Sequence, residues 1–249
     1  MPGIYDEPEF YQAACAYRNV PDEVDALLRW AGAHRSPDAG PPRSVLELAA
    51  GPAEHARELA RRGLSATALD LSPAMCGRAR DLAKAAGIQL TVVEADMRDF
   101  SLPGPVDLAI TMLNSLCHLL TLDDMLAHLG CVARHLRSDG LYIAELAHPA
   151  DFLAAEHRTS SEWNTEVSDG IVSVRWGAHD HTDVVPNRFW TATEMVAAVR
   201  LAGAFTIEAS YGDFDADVPV DAAEAWRMIL VLRRSPAVLE AVREGARGG

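Results

Sequence analysis

An α/β fold on one doubly wound sheet is what this sequence of 249 residues predicts, and three observations carry the prediction. Short runs that are apolar on both faces alternate with amphipathic stretches between residues 44 and 147. Helix caps and glycine stops divide them at intervals of one βα unit. The apolar content of 49 % over this length is ample for a sizeable core.

Residues 8–32 read as helical in two pieces, "PEFYQAACAYRN" and "PDEVDALLRWAG", and 35–43, "RSPDAGPPR", as a linker. The first strand is 44–49, followed by a helix over 53–62 that Gly63 stops. The second strand, 65–70, leads to a helix over 73–86, with Ser72 as its cap, Pro73 at its first position and Gly87 as its stop. Strands at 89–95 and 106–112 follow, then a weak helical piece near 113–119. A helix over 122–137 is capped by Thr121 and followed by Gly140, and the fifth strand is 141–147.

Past residue 150 the rhythm breaks. "EWNTEV", "GIVSVRWGAHDHTD" and "VVPNRFW" read as short antiparallel strands. "TATE" at 191–194 is a capping box for a helix that Gly203 ends, and the last strands, 204–211 and 226–233, flank an acidic loop. Four segments result: 1–43, an N-terminal helical lid and linker; 44–149, a ligand-binding α/β core; 150–190, a small antiparallel β insertion covering the substrate; and 191–249, which completes the core.

Twenty-two basic against 36 acidic residues leave a formal charge of −14, a field that opposes nucleic acid and anionic membrane. No apolar run approaches the roughly 20 residues that span a bilayer. "MPGIYDEPEF" lacks the apolar region of an export signal, and Cys15, Cys76, Cys117 and Cys131 form no CxxC pair. The expectation is a cytoplasmic protein with reduced thiols.

Ligands of open α/β sheets bind at the carboxyl ends of the strands. Glu47, Asp70 and Asp96 fall at three successive strand ends, beside a turn made of Ala49, Ala50, Gly51 and Ala53. A pyrophosphate turn calls for G-x-G-x-x-G and no neighbouring acid; this one has a single glycine and Glu47 before it. Asp70 suits a ribose diol, Asp96 an exocyclic adenine amine and Glu47 a cationic amino group. S-adenosylmethionine is a nucleoside with such a cationic tail.

"VLELAAGPAEHARELA", "ALDLSPAM", "VVEADMRDF" and "VDLAITMLNSLCHLL" together resemble the successive motifs of class I S-adenosylmethionine-dependent methyltransferases. That resemblance implies a Rossmann-like sheet with an antiparallel last strand. It implies Ala49 and Gly51 at the turn, Asp70 with Leu71 at the ribose and Met75 near the nucleoside. Asp96 and Met97 would flank the adenine, and the Leu113 backbone would face the methionyl amine. "NSLCHL" and the tyrosine-bearing N-terminal helix resemble the amino-sugar N,N-dimethyltransferases and glycine N-methyltransferase. This narrower likeness makes Tyr11, Tyr17 and Arg18 lid residues over the donor.

His118 follows the fourth strand and, with Tyr11, is the candidate for proton handling at the reaction centre. "HDHTD" places His179 and His181 on one strand face, but with no third ligand nearby no metal site is expected. Trp163, Trp176, Phe189 and Trp190 in the insertion, with Tyr5, Phe10, Tyr11 and Tyr17 in the lid, would give a pocket aromatic walls.

The expected activity is methyl transfer to a small natural-product-type molecule of secondary metabolism, aromatic or amine, with nitrogen favoured as acceptor. Alternatives are C-methylation of an electron-rich ring such as indole, O-methylation, a non-catalytic S-adenosylmethionine-binding protein, and a nicotinamide-dependent oxidoreductase. A homodimer is left open.

Overall fold

The computed structural model describes residues 3–148, 167–168, 171–178, 181–215 and 218–235. Its seven-stranded sheet is built from the apolar runs that the sequence marks out. These are β1 (Ser44–Leu48), β2 (Ser65–Asp70), β3 (Leu90–Glu94), β4 (Val106–Thr111) and β5 (Leu136–Ala147), with β9 (Phe205–Tyr211) and β10 (Arg227–Arg234) from the C-terminal part. The strand order is β3-β2-β1-β4-β5-β10-β9, and β10 alone is reversed relative to the other six strands. The order reverses between β1 and β4, the crevice where α/β sheets bind ligands. A second sheet holds β6 (Val167–Ser168), β7 (Ile171–Ala178) and β8 (His181–Arg188), all antiparallel.

Six α-helices complete the described chain: α1 (Pro8–Ala14), α2 (Val20–His34), α3 (Glu54–Arg61), α4 (Pro73–Ala85), α5 (Leu122–Arg134) and α6 (Ala192–Ala202). Side chains alternate across the sheet, so each strand feeds two cores. Leu108, Ile110, Leu141 and Ile143 pack with α2 and α3, whereas Ala109, Tyr142 and Ala144 pack with α5 and α6. No helix among the described residues is long and apolar enough to cross a membrane. All four cysteines are free and buried.

Three expectations about the elements change. The helix expected over 122–137 stops at Arg134, and β5 begins at Leu136 with a register shift against β4. Gly140 sits inside that strand rather than beyond a helix end. A Cβ there would stand 3.0 Å from the Arg137 carbonyl and from Leu136, a tight fit that favours glycine at this place in the strand. The piece at 113–119 is a 3-10 turn, Ser115–His118, entered through Leu113 and Asn114 at positive φ.

The first 43 residues divide between the core and the cavity wall. Helix α2 buries Val24, Leu27 and Trp30 in the core, and Trp30 stacks on Tyr211 at 4.4 Å. Tyr5, Tyr11, Ala14, Cys15 and Tyr17, from the segment before α2, line the cavity at the strand ends. Trp163, His179 and Asp180 lie outside the described residues, as do the side chains of Arg175, Trp176, His181 and Asp183.

Candidate active site

The turn after β1 passes through left-handed backbone at Ala49 (φ 49°), Gly51 (φ 53°) and Ala53 (φ 60°). A β-branched or bulky side chain at any of the three would be strained, which is the physical reason for the small residues. Ala53 is the N-cap of α3 and has no side chain to cap with. Glu47 does that work from the strand: its Oε2 accepts from the Ala56 amide at 2.7 Å. The acid that interrupts β1 is thus buried, 2 % exposed, and committed to the helix that follows.

Its other oxygen is 3.4 Å from His55 Nδ1, and His55 Nε2 is 2.7 Å from Glu23. Burial opposes charge on this imidazole, but hydrogen bonds to Glu23 and Glu47 outweigh it and raise the pKa above 6.5. A raised folded pKa gives stability that is fully present below pH 6.5 and is lost as pH rises through the folded value. Thermal melts of wild type and His55→Gln from pH 6 to 9 should therefore converge as pH rises; a constant gap would show His55 to be neutral throughout.

Asp70, at the end of β2, ties two turns together. Its Oδ2 accepts from the Gly51 amide at 2.7 Å and its Oδ1 from the Ser72 amide at 2.8 Å. Burial pushes its pKa up, against the pull of those amides. Asp96 is gripped by Arg98, which also reaches Asp124 at the start of α5. The Met97 carbonyl accepts from His128 Nδ1 at 2.9 Å, and His128 Nε2 accepts from the Tyr142 hydroxyl at 2.8 Å. Burial lowers the His128 pKa to about 4, so the ring stays neutral and pins the loop that carries Asp96.

These strand ends open into a cavity of about 700 Å³. Of the expected site residues, Tyr11, Tyr17, Ala49, Gly51, Asp70, Leu71, Asp96, Met97, Leu113 and His118 line it. Glu47 and Met75 lie behind the turn. Met75 is fully buried, its sulfur 4.0 Å from where a Cβ on Gly51 would stand. Arg18 lies elsewhere and is no part of the lining. Its side chain is 1 % exposed and held by Glu23 at 2.6 Å and by both Glu145 oxygens at 2.8 Å.

The tyrosine that meets His118 is Tyr5, not Tyr11. Tyr5 Oη is 2.8 Å from His118 Nε2, and the rings stand edge to face at 5.4 Å. Burial lowers the His118 pKa below 6.5, leaving a neutral imidazole near pH 7. The Tyr5 carbonyl accepts from the Ser72 hydroxyl at 2.7 Å, fastening the lid to the cap of α4. Tyr11 instead packs on the turn, 3.5 Å from the place a Cβ of Gly51 would take. Burial and the neighbouring Cys15, Tyr5 and Asp70 raise its pKa well above 10, so it serves as a neutral wall. Beside Tyr11, Glu47 and His55 only about 20 Å³ remains, room for about one water.

The lining is chemically selective. It holds two carboxylates, Asp70 and Asp96, and among the described residues its one cation is Arg98, already paired with acids. A cationic nucleoside fits such a site better than a pyrophosphate, because the amides around Asp70 are taken and the field is acidic. Apolar walls from Leu71, Met97 and Leu119 and a volume within the roughly 300–1,000 Å³ of ligand pockets suit a molecule of that size.

Residues 45–140 match the family model described as a methyltransferase domain. Among solved structures, the chain is similar to an S-adenosylmethionine-dependent methyltransferase from Clostridium acetobutylicum, with 15 % identity, TM-score 0.72, and coverage of 89 % of this chain and 94 % of that one. CalS10, an amino pentose methyltransferase from Micromonospora echinaspora solved with S-adenosylmethionine bound, gives 20 % identity, TM-score 0.64 and 90 % and 96 % coverage. KedS8, a sugar N-methyltransferase from a Streptoalloteichus species, gives 20 % identity, TM-score 0.64 and 93 % coverage of each chain. Among curated proteins, none matches.

Proposed function

We propose that this chain, which carries a methyltransferase domain of the S-adenosylmethionine-dependent, small-molecule kind, methylates a nitrogen of a small natural-product-type molecule. The observation that carries the reading is the neutral His118–Tyr5 pair in the same cavity as Asp70 and Asp96. When bound, S-adenosylmethionine supplies an electrophilic methyl group on a sulfonium centre.

An amine is mostly protonated near pH 7 and must lose a proton before its lone pair can attack. His118 is the group suited to take it, because burial keeps the ring neutral and Tyr5 fixes one ring nitrogen. Such a base contributes about 10²–10⁴-fold in rate, and alignment of the two reactants contributes more, about 7–11 kcal/mol. The lid supports alignment: the segment before α2 lines the cavity at the strand ends and is latched through Ser72. Support for nitrogen comes from the sugar N-methyltransferase and amino pentose methyltransferase among the similar structures, and from an acidic lining that favours cationic amines.

A second reading, methylation of an electron-rich ring carbon, is favoured by Tyr5, Tyr11 and Tyr17 in the cavity wall. Turnover of a panel of amines, phenols and indoles with labelled S-adenosylmethionine separates the two. In the same assay His118→Ala should lower kcat by about 10²–10⁴-fold with donor affinity held within about twofold. The acid limb of wild-type kcat/KM should fall below pH 6.5 and vanish in the variant. Normal turnover in His118→Ala would remove the imidazole from the reaction.

A further inference from the structure

Asn187 is a buried polar residue of the cavity whose side-chain carbonyl has no bonding partner among the described residues. It sits near the end of β8, is 8 % exposed, and lines the cavity together with His118 and Leu119. Among the described residues its Oδ1 is sealed from solvent without a hydrogen-bond partner. The other buried side-chain atoms in that condition are nitrogens of arginines and of Trp30; Asn187 Oδ1 alone is an acceptor, and it alone lines the cavity.

The chain just after it is firmly held. The next residue, Arg188, donates to the Leu120 carbonyl at 3.0 Å, pairs with Glu194 at 3.1 Å and stacks over Trp190 at 4.3 Å. Trp190, 3 % exposed, donates to the carbonyls of Leu116 and Leu119, in and just past the 3-10 turn that carries His118. The end of β8 is thus bolted to the turn that presents the candidate base, which keeps Asn187 buried beside it. A buried acceptor left unpaired is destabilising, and native proteins keep such groups where a ligand completes them.

We infer that Asn187 Oδ1 accepts a hydrogen bond from a hydroxyl or N–H of the methyl acceptor other than the atom that is methylated. Asn187 is then a specificity residue, and the substrate class is narrowed to molecules with a second donor beside the reacting centre: amino alcohols and related polyfunctional amines rather than simple amines or unsubstituted aromatics. The inference rests on the methyl-transfer reading of this cavity and deepens it. A site built around a polar partner discriminates strongly, because the analogue lacking the donor leaves the carbonyl stranded again.

The test uses the full chain saturated with S-adenosylhomocysteine and two probes of equal ring size, trans-2-aminocyclohexanol and cyclohexylamine, with affinities from ligand-detected NMR titration. Wild type should bind the amino alcohol at least about tenfold more tightly than the plain amine. Asn187→Leu should bring that ratio close to one, leave the affinity for S-adenosylhomocysteine unchanged, and leave Tm unchanged or higher, since an unpaired acceptor has been replaced by an apolar group of similar volume. A ratio that survives the substitution, no preference in wild type, or a fall in Tm that marks Asn187 as structural would each overturn the assignment. Failure of wild type and variant alike to bind S-adenosylhomocysteine would instead overturn the methyl-transfer reading itself.

Discussion

Glu145→Gln should destabilise the fold by about 3–5 kcal/mol, a loss that urea unfolding would read directly. Glu145 is 2 % exposed at the carboxyl end of β5 and takes four donors on two oxygens. Arg18 supplies two of them, Arg227 pairs with Oε1, and the Leu113 amide donates to Oε2 at 3.0 Å. From there the charges run on through Arg18 to Glu23, from Glu23 to His55, and from His55 to Glu47 at the helix after β1. Burial lowers the Arg227 pKa to about 10, still well above neutrality, so this guanidinium keeps its charge inside the fold. Removing this carboxylate's charge takes from the buried Arg227 its close ion-pair partner and leaves Arg18 with Glu23 alone, and that penalty is larger than the worth of any single pair.

Because Arg18 and Glu145 share their contact, Arg18→Met should cost a comparable amount, and the double variant less than the sum of the two. Strict additivity, or a loss under about 1 kcal/mol for Glu145→Gln, would show the chain of charges to be energetically idle. The same substitution should reach the cavity, since Glu145 holds the positive-φ residue Leu113 in its wall. A lower donor affinity in the folded variant is the expected second readout.

Arg18 also shows where a sequence stops being readable. Its contact with Glu145 spans 127 residues and that of Tyr5 with His118 spans 113, and no local pattern signals either. The sheet was legible because its signals are local: two-sided apolar strands, Ser72 and Thr121 at caps that the structure confirms, and small residues where the backbone turns left-handed. Gly140 misleads for a related reason, because a glycine that stops a helix and one that sits in a crowded strand look alike in one dimension.

Glu47 was marked correctly as an acid out of place in a strand, yet its engagement with the Ala56 amide depends on how α3 leaves the turn. Asp70 and Asp96 were placed at the cavity because strand ends follow from periodicity alone. Asn187 and His128 carry no local signal of their places, and Tyr5 reads in the sequence only as one of several aromatic residues that could wall the pocket. Each gains its position from a lid, a hairpin or a core contact that forms only in three dimensions. The one signal that pointed toward Tyr5 was the crowding of tyrosines in the first 17 residues, which could not say which of them faces His118.

Asp70→Ala is expected to have the largest effect on the donor. Each Asp70 oxygen already accepts one backbone amide, and a carboxylate oxygen has a second lone pair to offer. Two further charge-assisted hydrogen bonds to a vicinal diol would each contribute about 1.5–3 kcal/mol, so their loss should weaken S-adenosylhomocysteine binding by about 10²–10⁴-fold in calorimetry. The variant also loses the tie between the turns at Gly51 and Ser72, and a Tm drop must be separated from lost recognition. Asp70→Asn makes the separation: it keeps one acceptor oxygen and the side-chain volume but turns the other position into a donor facing an amide. Both variants should lose affinity, and the loss should persist at temperatures well below their melting points. In wild type, the raised Asp70 pKa adds a pH signature. Affinity should be full at neutral pH and fall as the solution is acidified through the folded pKa, which lies above 3.8, because protonation removes both the charge and an acceptor. A protein that melts lower yet binds S-adenosylhomocysteine as wild type does would leave Asp70 as a brace between two turns and move the ribose elsewhere in the cavity.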